Sequence, residues 1–251
     1  MSTWLVTGGS RGIGRAVVDH VAGAGDPVAS FSRSASAVAP AHPDRVLEVK
    51  ADVTDPESIR RGVETVLERY GSIDVVVNSA GVHCGGRIDS LGREAWDEVL
   101  ATNLTGAFEV CRAVVPVLRP GAAIVNVGAV VGLRGFPGDV AYGSAKAGLS
   151  GMTQVLAVEL APRGIRVNLV VPGFVDTDMT AGLTEQARRR ITDTIPAGRT
   201  GTPGEIADVV AAVARSTYMT GATVPVDGGL LATFGGGRPS GVVPPSNEPP
   251  R

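Results

Sequence analysis

A tyrosine and a lysine four residues apart, in Tyr142-Gly143-Ser144-Ala145-Lys146, are the pair in this sequence best suited to move a proton. On a helix, positions i and i+4 share a face. A free phenol titrates near 10, and an adjacent ammonium favours the phenolate. The pairing therefore predicts a Tyr142 whose pKa is drawn down. Such a phenol can give a proton to a carbonyl oxygen as hydride arrives at the carbon, or take one in reverse. Tyr-x-x-x-Lys often arises by accident on surface helices, so its weight depends on its surroundings. One count favours Lys146: lysine occurs only at Lys50 and Lys146, and every other strong base is Arg. Arg cannot replace a compact ammonium whose pKa must shift. Ser144, two residues from Tyr142, points off that face.

A second constellation is Thr7-Gly8-Gly9-Ser10-Arg11-Gly12-Ile13-Gly14. Glycines here let backbone approach a pyrophosphate, and a following helix offers unpaired N–H groups and the positive end of its dipole. The spacing is G-x-x-x-G-x-G, so Gly8, Ser10, Arg11, Gly12, Ile13 and Gly14 are candidate phosphate contacts. A third stretch, Ser30-Phe31-Ser32-Arg33-Ser34, ends an apolar run. A carboxylate at that point would bond the adenine ribose hydroxyls and repel a 2′-phosphate. Ser32 removes the repulsion, and Arg33 with Arg11 offers a guanidinium clamp. These residues favour NADP(H) over NAD(H).

The elements that must position these groups alternate. Strand-like runs cover 3–6, 28–31, 46–49, 73–77, 123–127, 165–171 and 222–226. Helix-period apolar spacing marks 13–21, 59–70, a long third helix over 96–111, and 142–160. Alternation of this kind, with β-branched strands, predicts an α/β fold: a single-domain Rossmann fold with a doubly wound parallel sheet of about seven strands and helices on both faces. Ligands bind such sheets at the carboxyl ends of the strands. The glycine loop, Arg33, Asp52, Asn78, Gly128–Ala129 and Pro172–Gly173 all fall at those ends. Residues 1–234 read as the folded domain, and the Gly/Pro-rich 235–251 as a tail unable to bury much apolar surface.

Composition narrows the function classes. The chain has 251 residues, 43% of them hydrophobic, and a formal net charge of −2. That charge gives no basis for nucleic-acid binding. No run approaches the ~20 apolar residues of a membrane span. Cys84 and Cys111 make neither a disulfide framework nor a metal site. The expectation is a cytoplasmic protein without metal.

Taken together, TGGSRGIG at 7–14, ADVTD at 51–55, VNSAG at 77–81, Asn103 in ATNLTGAF, YGSAK at 142–146, VNLVVPGFVDTDM at 167–179 and VDGG at 226–229 resemble the short-chain dehydrogenase/reductase family. The likeness is strongest to the 3-oxoacyl-carrier-protein reductases and polyketide ketoreductases. It spans residues 3–229 and implies further roles. Asp52 and Val53 would hold the adenine, and Asn78, Ala80 and Gly81 would line the adenine-ribose stretch. Tyr142 and Lys146 would flank the nicotinamide ribose. Asn103 would hold a water of a proton relay from Lys146. Pro172, Gly173, Val175 and Thr177 would anchor the carboxamide, and 177–190 would form a lid. The substrate would be a small carbonyl or alcohol, with carrier-protein-bound acyl groups among the candidates. The assembly would be a homotetramer or homodimer using the helices at 94–118 and 142–160, with the C-terminal segment as a second tetramer interface.

The sequence departs from this family at one catalytic position. The family places a serine hydroxyl thirteen residues before the tyrosine, and here that residue is Ala129, between Gly128 and Val130. Losing one donor to a developing oxyanion typically costs ~10²–10³ in rate. Three readings stay open. The chain is an engineered Ser-to-Ala variant; or an enzyme that polarises its carbonyl by water or a substrate hydroxyl; or a weakened NADP(H)-binding subunit or sensor. His83 and Cys84, just after VNSAG, would rim the cleft.

Overall fold

The computed structural model describes residues 1–34 and 39–233. The tail read at 235–251 lies outside the described residues. Seven strands form one parallel sheet in the order β3-β2-β1-β4-β5-β6-β7: β1 Trp4–Thr7, β2 Val28–Ser32, β3 Val46–Lys50, β4 Val75–Asn78, β5 Ala123–Val127, β6 Arg166–Pro172 and β7 Thr223–Val226. This is the doubly wound arrangement the alternation predicts. The order reverses between β1 and β4, which pair in register from Trp4 with Val75 to Thr7 with Asn78. A crevice must open there, because the connections from these neighbours leave toward opposite faces.

Side-chain alternation along β1 shows how the two layers form. Trp4 and Val6 face one side and pack with α1 (Gly12–Gly23) and α7 (Pro203–Arg215), through Val17, Val18, Val21, Ile206 and Val210. Leu5 faces the other side and joins a core with Ile59 and Val63 of α2 (Pro56–Tyr70), Val110 of α4 (Gly106–Val114) and Leu160 of α5 (Val140–Leu160). With both faces covered, the central strands carry continuous apolar runs, as in Val75-Val76-Val77.

Three elements differ from their sequence outlines. The long third helix runs as α3 (Arg93–Leu100), a π-helical turn at Ala101–Thr105, then α4. Such turns are rare and concentrate at functional sites; this one carries Asn103. Helices α6 (Glu185–Thr192) and α7 lay outside the periodic segments read above. For α7 the missed signal was a capping box: Thr202 and Glu205 each accept the other's backbone N–H.

Among the described residues, no helix is long and apolar enough to cross a membrane, and no cluster of His, Cys, Asp and Glu has the arrangement to hold a metal ion.

Candidate active site

The glycine loop is shaped by close approach. Gly8 has φ +69°, and a Cβ there would lie 2.8 Å from Ala80 Cα. A Cβ on Gly14 would lie 2.3 Å from the Gly8 carbonyl oxygen. Only glycine lets β1, the loop and the β4 exit meet this closely. Thr7 locks the meeting, its Oγ1 accepting the N–H groups of Ser79 and Ala80 at 3.1 Å each. The motif includes Thr7 but assigns it no phosphate contact, because its role is a contact across 72 positions of sequence. Arg11, extended at the start of α1, gives no side-chain cap, which leaves the helix N-terminus to its backbone donors.

At the β2 exit, the Ser32 hydroxyl donates to the Ser34 carbonyl at 2.7 Å, and Arg33 is exposed. Among the described residues no carboxylate pairs with Arg11 or Arg33. Arg11 and Arg33 are therefore left to meet an anion from outside, and the glycine cradle is one that Cβ atoms would fill. Both features fit a dinucleotide bearing a 2′-phosphate.

At the β3 exit, the Asp52 carboxylate accepts the Thr54 N–H at 2.9 Å and its hydroxyl at 2.8 Å, which fixes the side chain in a local turn. Val53 is buried against Gly106. Asn78 differs from its expected place. Its side chain turns into the core, donating to Asn126 Oδ1 at 2.9 Å and to Cys111 Sγ at 3.4 Å. Asn126 in turn donates to the Thr153 hydroxyl of α5 at 2.9 Å. Only the backbone of Asn78 can face the crevice. The NH2 end of its amide ties β4 to β5 and, through Asn126, to α5, while its buried Oδ1 has no hydrogen-bond partner among the described residues.

The β6 exit closes the opposite wall. A Cβ on Gly173 would lie 2.7 Å from Asp227 Cα. Val175 bridges to Gly201, and Pro172 ends β6. Thr177 reaches over the glycine loop, its Cγ2 lying 3.6 Å from where a Gly12 Cβ would stand. Thr180 accepts the Thr177 N–H at 3.1 Å, and Arg188 of α6 pairs with Asp176. Residue 177, where the expected lid would begin, thus lies against the glycine loop.

In the centre, Lys146 is buried and its ammonium donates to the Val127 carbonyl at 2.8 Å. Its Nζ lies 5.5 Å from the Tyr142 ring centroid. Asn103 clasps the Val82 backbone, accepting its N–H and donating to its carbonyl, both at 2.8 Å. A Cβ on Gly81 would lie 3.1 Å from Asn103 Oδ1 and 3.9 Å from Lys146 Nζ. Tyr142, Lys146, Asn103 and Gly81 therefore share one spot. Ala129 is extended and half-buried, at the head of a turn (Val130–Gly132) pressed onto α5. Ser144 is exposed on the far side of the helix.

The electrostatics reverse one expectation. Burial pushes Tyr142 up to about 12, reinforced by the Asp139 carboxylate, rather than down. Burial also pushes Lys146 down to about 8. The ammonium is directed at a backbone carbonyl and lies over the ring, so desolvation of the phenolate outweighs its attraction. His83, expected only at the rim, touches Tyr142 directly. The rings meet edge to face with centroids 5.2 Å apart.

Comparison with known proteins agrees with this geometry. A family model described as enoyl-(acyl carrier protein) reductase matches residues 8–231. The chain is 41% identical over 237 residues to the 3-oxoacyl-[acyl-carrier-protein] reductase FabG of Thermotoga maritima, covering 90% of this chain and 96% of that protein. It is 42% identical over 231 residues to carbonyl reductase family member 4 of Danio rerio, with the same coverage. Among solved structures, it matches a short-chain dehydrogenase/reductase, glucose/ribitol dehydrogenase, from Brucella melitensis with TM-score 0.86 and 31% identity, covering 91% of this chain and 96% of the other. A blue fluorescent protein from a metagenomic library, in complex with NADPH, matches with TM-score 0.86 and 34% identity over 91% of this chain and 97% of the other.

Proposed function

The chain belongs to the short-chain dehydrogenase/reductase family, and from that premise we propose that it is an NADPH-dependent ketoreductase. Its substrate is a ketone on an acyl or polyketide-like molecule, free or carried by an acyl carrier protein. The observation that carries the reading is the Tyr142–Lys146 pair, the lysine buried and the tyrosine half-buried, beside Asn103 and Gly81 at the exits of β4 and β5, next to the glycine cradle. The names of the reductase relatives and the NADPH-bound neighbour support it.

The cradle of Gly8, Ser10, Arg11, Gly12, Ile13 and Gly14 would hold the pyrophosphate. Arg33 with Arg11 would hold the 2′-phosphate, which Ser32 leaves unopposed. Asp52 and Val53 would flank the adenine, Ala80, Gly81 and the Asn78 backbone the ribose, and Pro172, Gly173, Val175 and Thr177 the carboxamide. When bound, NADPH supplies the hydride that reaches the carbonyl carbon. Tyr142 donates its phenolic proton to the carbonyl oxygen. With its pKa held near 12, the phenol carries that proton throughout the neutral range. Lys146, titrating near 8, sits where it can stabilise the phenolate left behind and return a proton to it. Asn103 fixes the Val82 backbone beside this path and would hold the relay water.

The protein is proposed to be cytoplasmic and oligomeric. Phe108 on α4 is 49% exposed, and Val155 and Val158 on α5 are 63% and 78% exposed. Apolar side chains this open on two neighbouring helices suit a subunit interface.

The test is NADPH consumption with a β-ketoacyl thioester and a panel of cyclic ketones, with NADH in parallel. Turnover with NADPH, lost in Tyr142→Phe, is expected. No turnover across the panel, in this protein and in Ala129→Ser alike, overturns the reading. Ala129 favours a second reading, an NADP(H)-loaded subunit without chemistry of its own; detectable reduction by the purified protein excludes it.

A further inference from the structure

The loop after β4 and the segment before α5 are stitched together. Gly86 bridges to Asp139, and the Gly86 N–H donates to the Gly138 carbonyl at 2.8 Å. Across this stitch the His83 Nε2–H donates to Asp139 Oδ1 at 2.8 Å. The His83 ring then stands against Tyr142 at 79° between planes, with centroids 5.2 Å apart. Asp139 is the N-cap residue of α5, yet its carboxylate makes no capping bond. An N-cap Asp ordinarily accepts a helix N–H and stabilises the helix. Here that acceptor is given to His83. A carboxylate withheld from its local role, an imidazole held by it, and a catalytic phenol against that imidazole form one chain of contacts. Asp139 lies three residues before Tyr142, and His83 two residues beyond Gly81.

We propose that the His83–Asp139 pair is a positioning device for Tyr142, orienting its ring and balancing its charge in a site where Ala129 supplies no hydroxyl. The proposal deepens the ketoreductase reading and rests on it. An imidazolium beside the phenol offsets the Asp139 carboxylate, which otherwise opposes the phenolate that forms as Tyr142 gives up its proton. Asp139 raises the His83 pKa above its ordinary value, so the charged form persists further into the neutral range. The other charged and titratable groups facing the pair are few. Tyr142 and Lys146 lie on α5, and Cys84 on the loop of His83. Glu98 on α3 takes the Cys84 thiol at 3.8 Å, and Arg87 lines the cavity on the outer side of Asp139. The pair does not replace the serine's other role as a donor to the substrate oxygen, so a hydroxyl restored at 129 should reduce the enzyme's dependence on His83.

The experiment measures reduction with NADPH across pH for the parent, His83→Gln, Asp139→Asn, Ala129→Ser, and the double variant Ala129→Ser/His83→Gln. His83→Gln should lower kcat about tenfold in the parent but no more than about threefold in the Ala129→Ser background, the coupling expected of residues that share one task. The NADPH KM should stay level throughout. In the parent, kcat should step down as pH rises past the His83 pKa; Asp139→Asn should move that step to lower pH, and His83→Gln should abolish it. Equal losses in both backgrounds, or a pH profile unchanged by both substitutions, overturn the proposal. Proton NMR of the three histidines, with His83→Gln as the assignment, reads the pair without turnover. A His83 midpoint unmoved by Asp139→Asn overturns the pair itself, whereas silence of every variant with every ketone, alongside a shifted midpoint, sinks the ketoreductase reading instead.

Discussion

Lys146 donates its ammonium to the carbonyl oxygen of Val127 at 2.8 Å, nineteen residues away and at the end of β5. A charge is thereby held under cover, with its pKa lowered to about 8 by burial alone. A lysine whose folded pKa lies below its unfolded value near 10.4 destabilises the fold wherever it is charged in both states. That penalty is present in full below pH 8 and is relieved as pH rises from about 8 to 10.4. Lys146→Met should therefore abolish reduction while raising stability at pH 7 by roughly 1–3 kcal/mol, the net of a relieved charge and an orphaned carbonyl. Denaturant midpoints at pH 7 and pH 10 check this: the gain should shrink at the higher pH. A variant less stable than the parent at pH 7 would mean that the bond to Val127 dominates.

On the proposed reading, Ala129 takes the position from which the family's serine hydroxyl would meet the substrate oxygen. Ala129→Ser should raise kcat by about 10–100-fold, somewhat less than the ~10²–10³ for a lone donor because His83 and Asp139 already orient the phenol. The NADPH KM should not change. Steady-state kinetics on one ketone suffice, and an unchanged kcat would show that residue 129 lies off the reaction path.

Arg33 sits exposed at the β2 exit with no carboxylate partner among the described residues. Arg33→Ala should raise the KM for NADPH about tenfold, the loss of ~1.4 kcal/mol, and leave the NADH KM unchanged. Equal effects on both nucleotides would place Arg33 away from the 2′-phosphate.

The buried amides make a stability prediction. Asn126 accepts from Asn78 and donates to Thr153, each at 2.9 Å. Asn126→Leu strands both partners in the core and should cost about 2–4 kcal/mol, seen as a lower Tm. The smaller change Thr153→Val breaks one bond only and should cost about half as much.

Much of the site was legible in the sequence because its parts are local. The glycine loop, the Tyr142–Lys146 spacing, and the serine and arginine ending β2 each express a turn, a helical repeat or a strand end, which neighbours in the chain decide. The parallel sheet followed from runs such as Val75–Val77, apolar on both faces because both are covered. Helix α7 is announced by an equally local signal, the Thr202–Glu205 capping box, although it lies outside the periodic segments.

The tertiary structure decided what depends on burial and on contacts between distant segments. The direction of the Tyr142 shift reversed because desolvation is a property of the closed core, and spacing along a helix carries no measure of it. Asn78 turned inward because Asn126 and Cys111 wait on neighbouring elements. Thr7 reached Ser79 and Ala80 across 72 and 73 residues, and His83 reached Asp139 and Tyr142 across 56 and 59. A sequence names the groups able to do chemistry. Only the folded chain fixes how much water they keep and which distant partner answers each, and these two quantities set their charge.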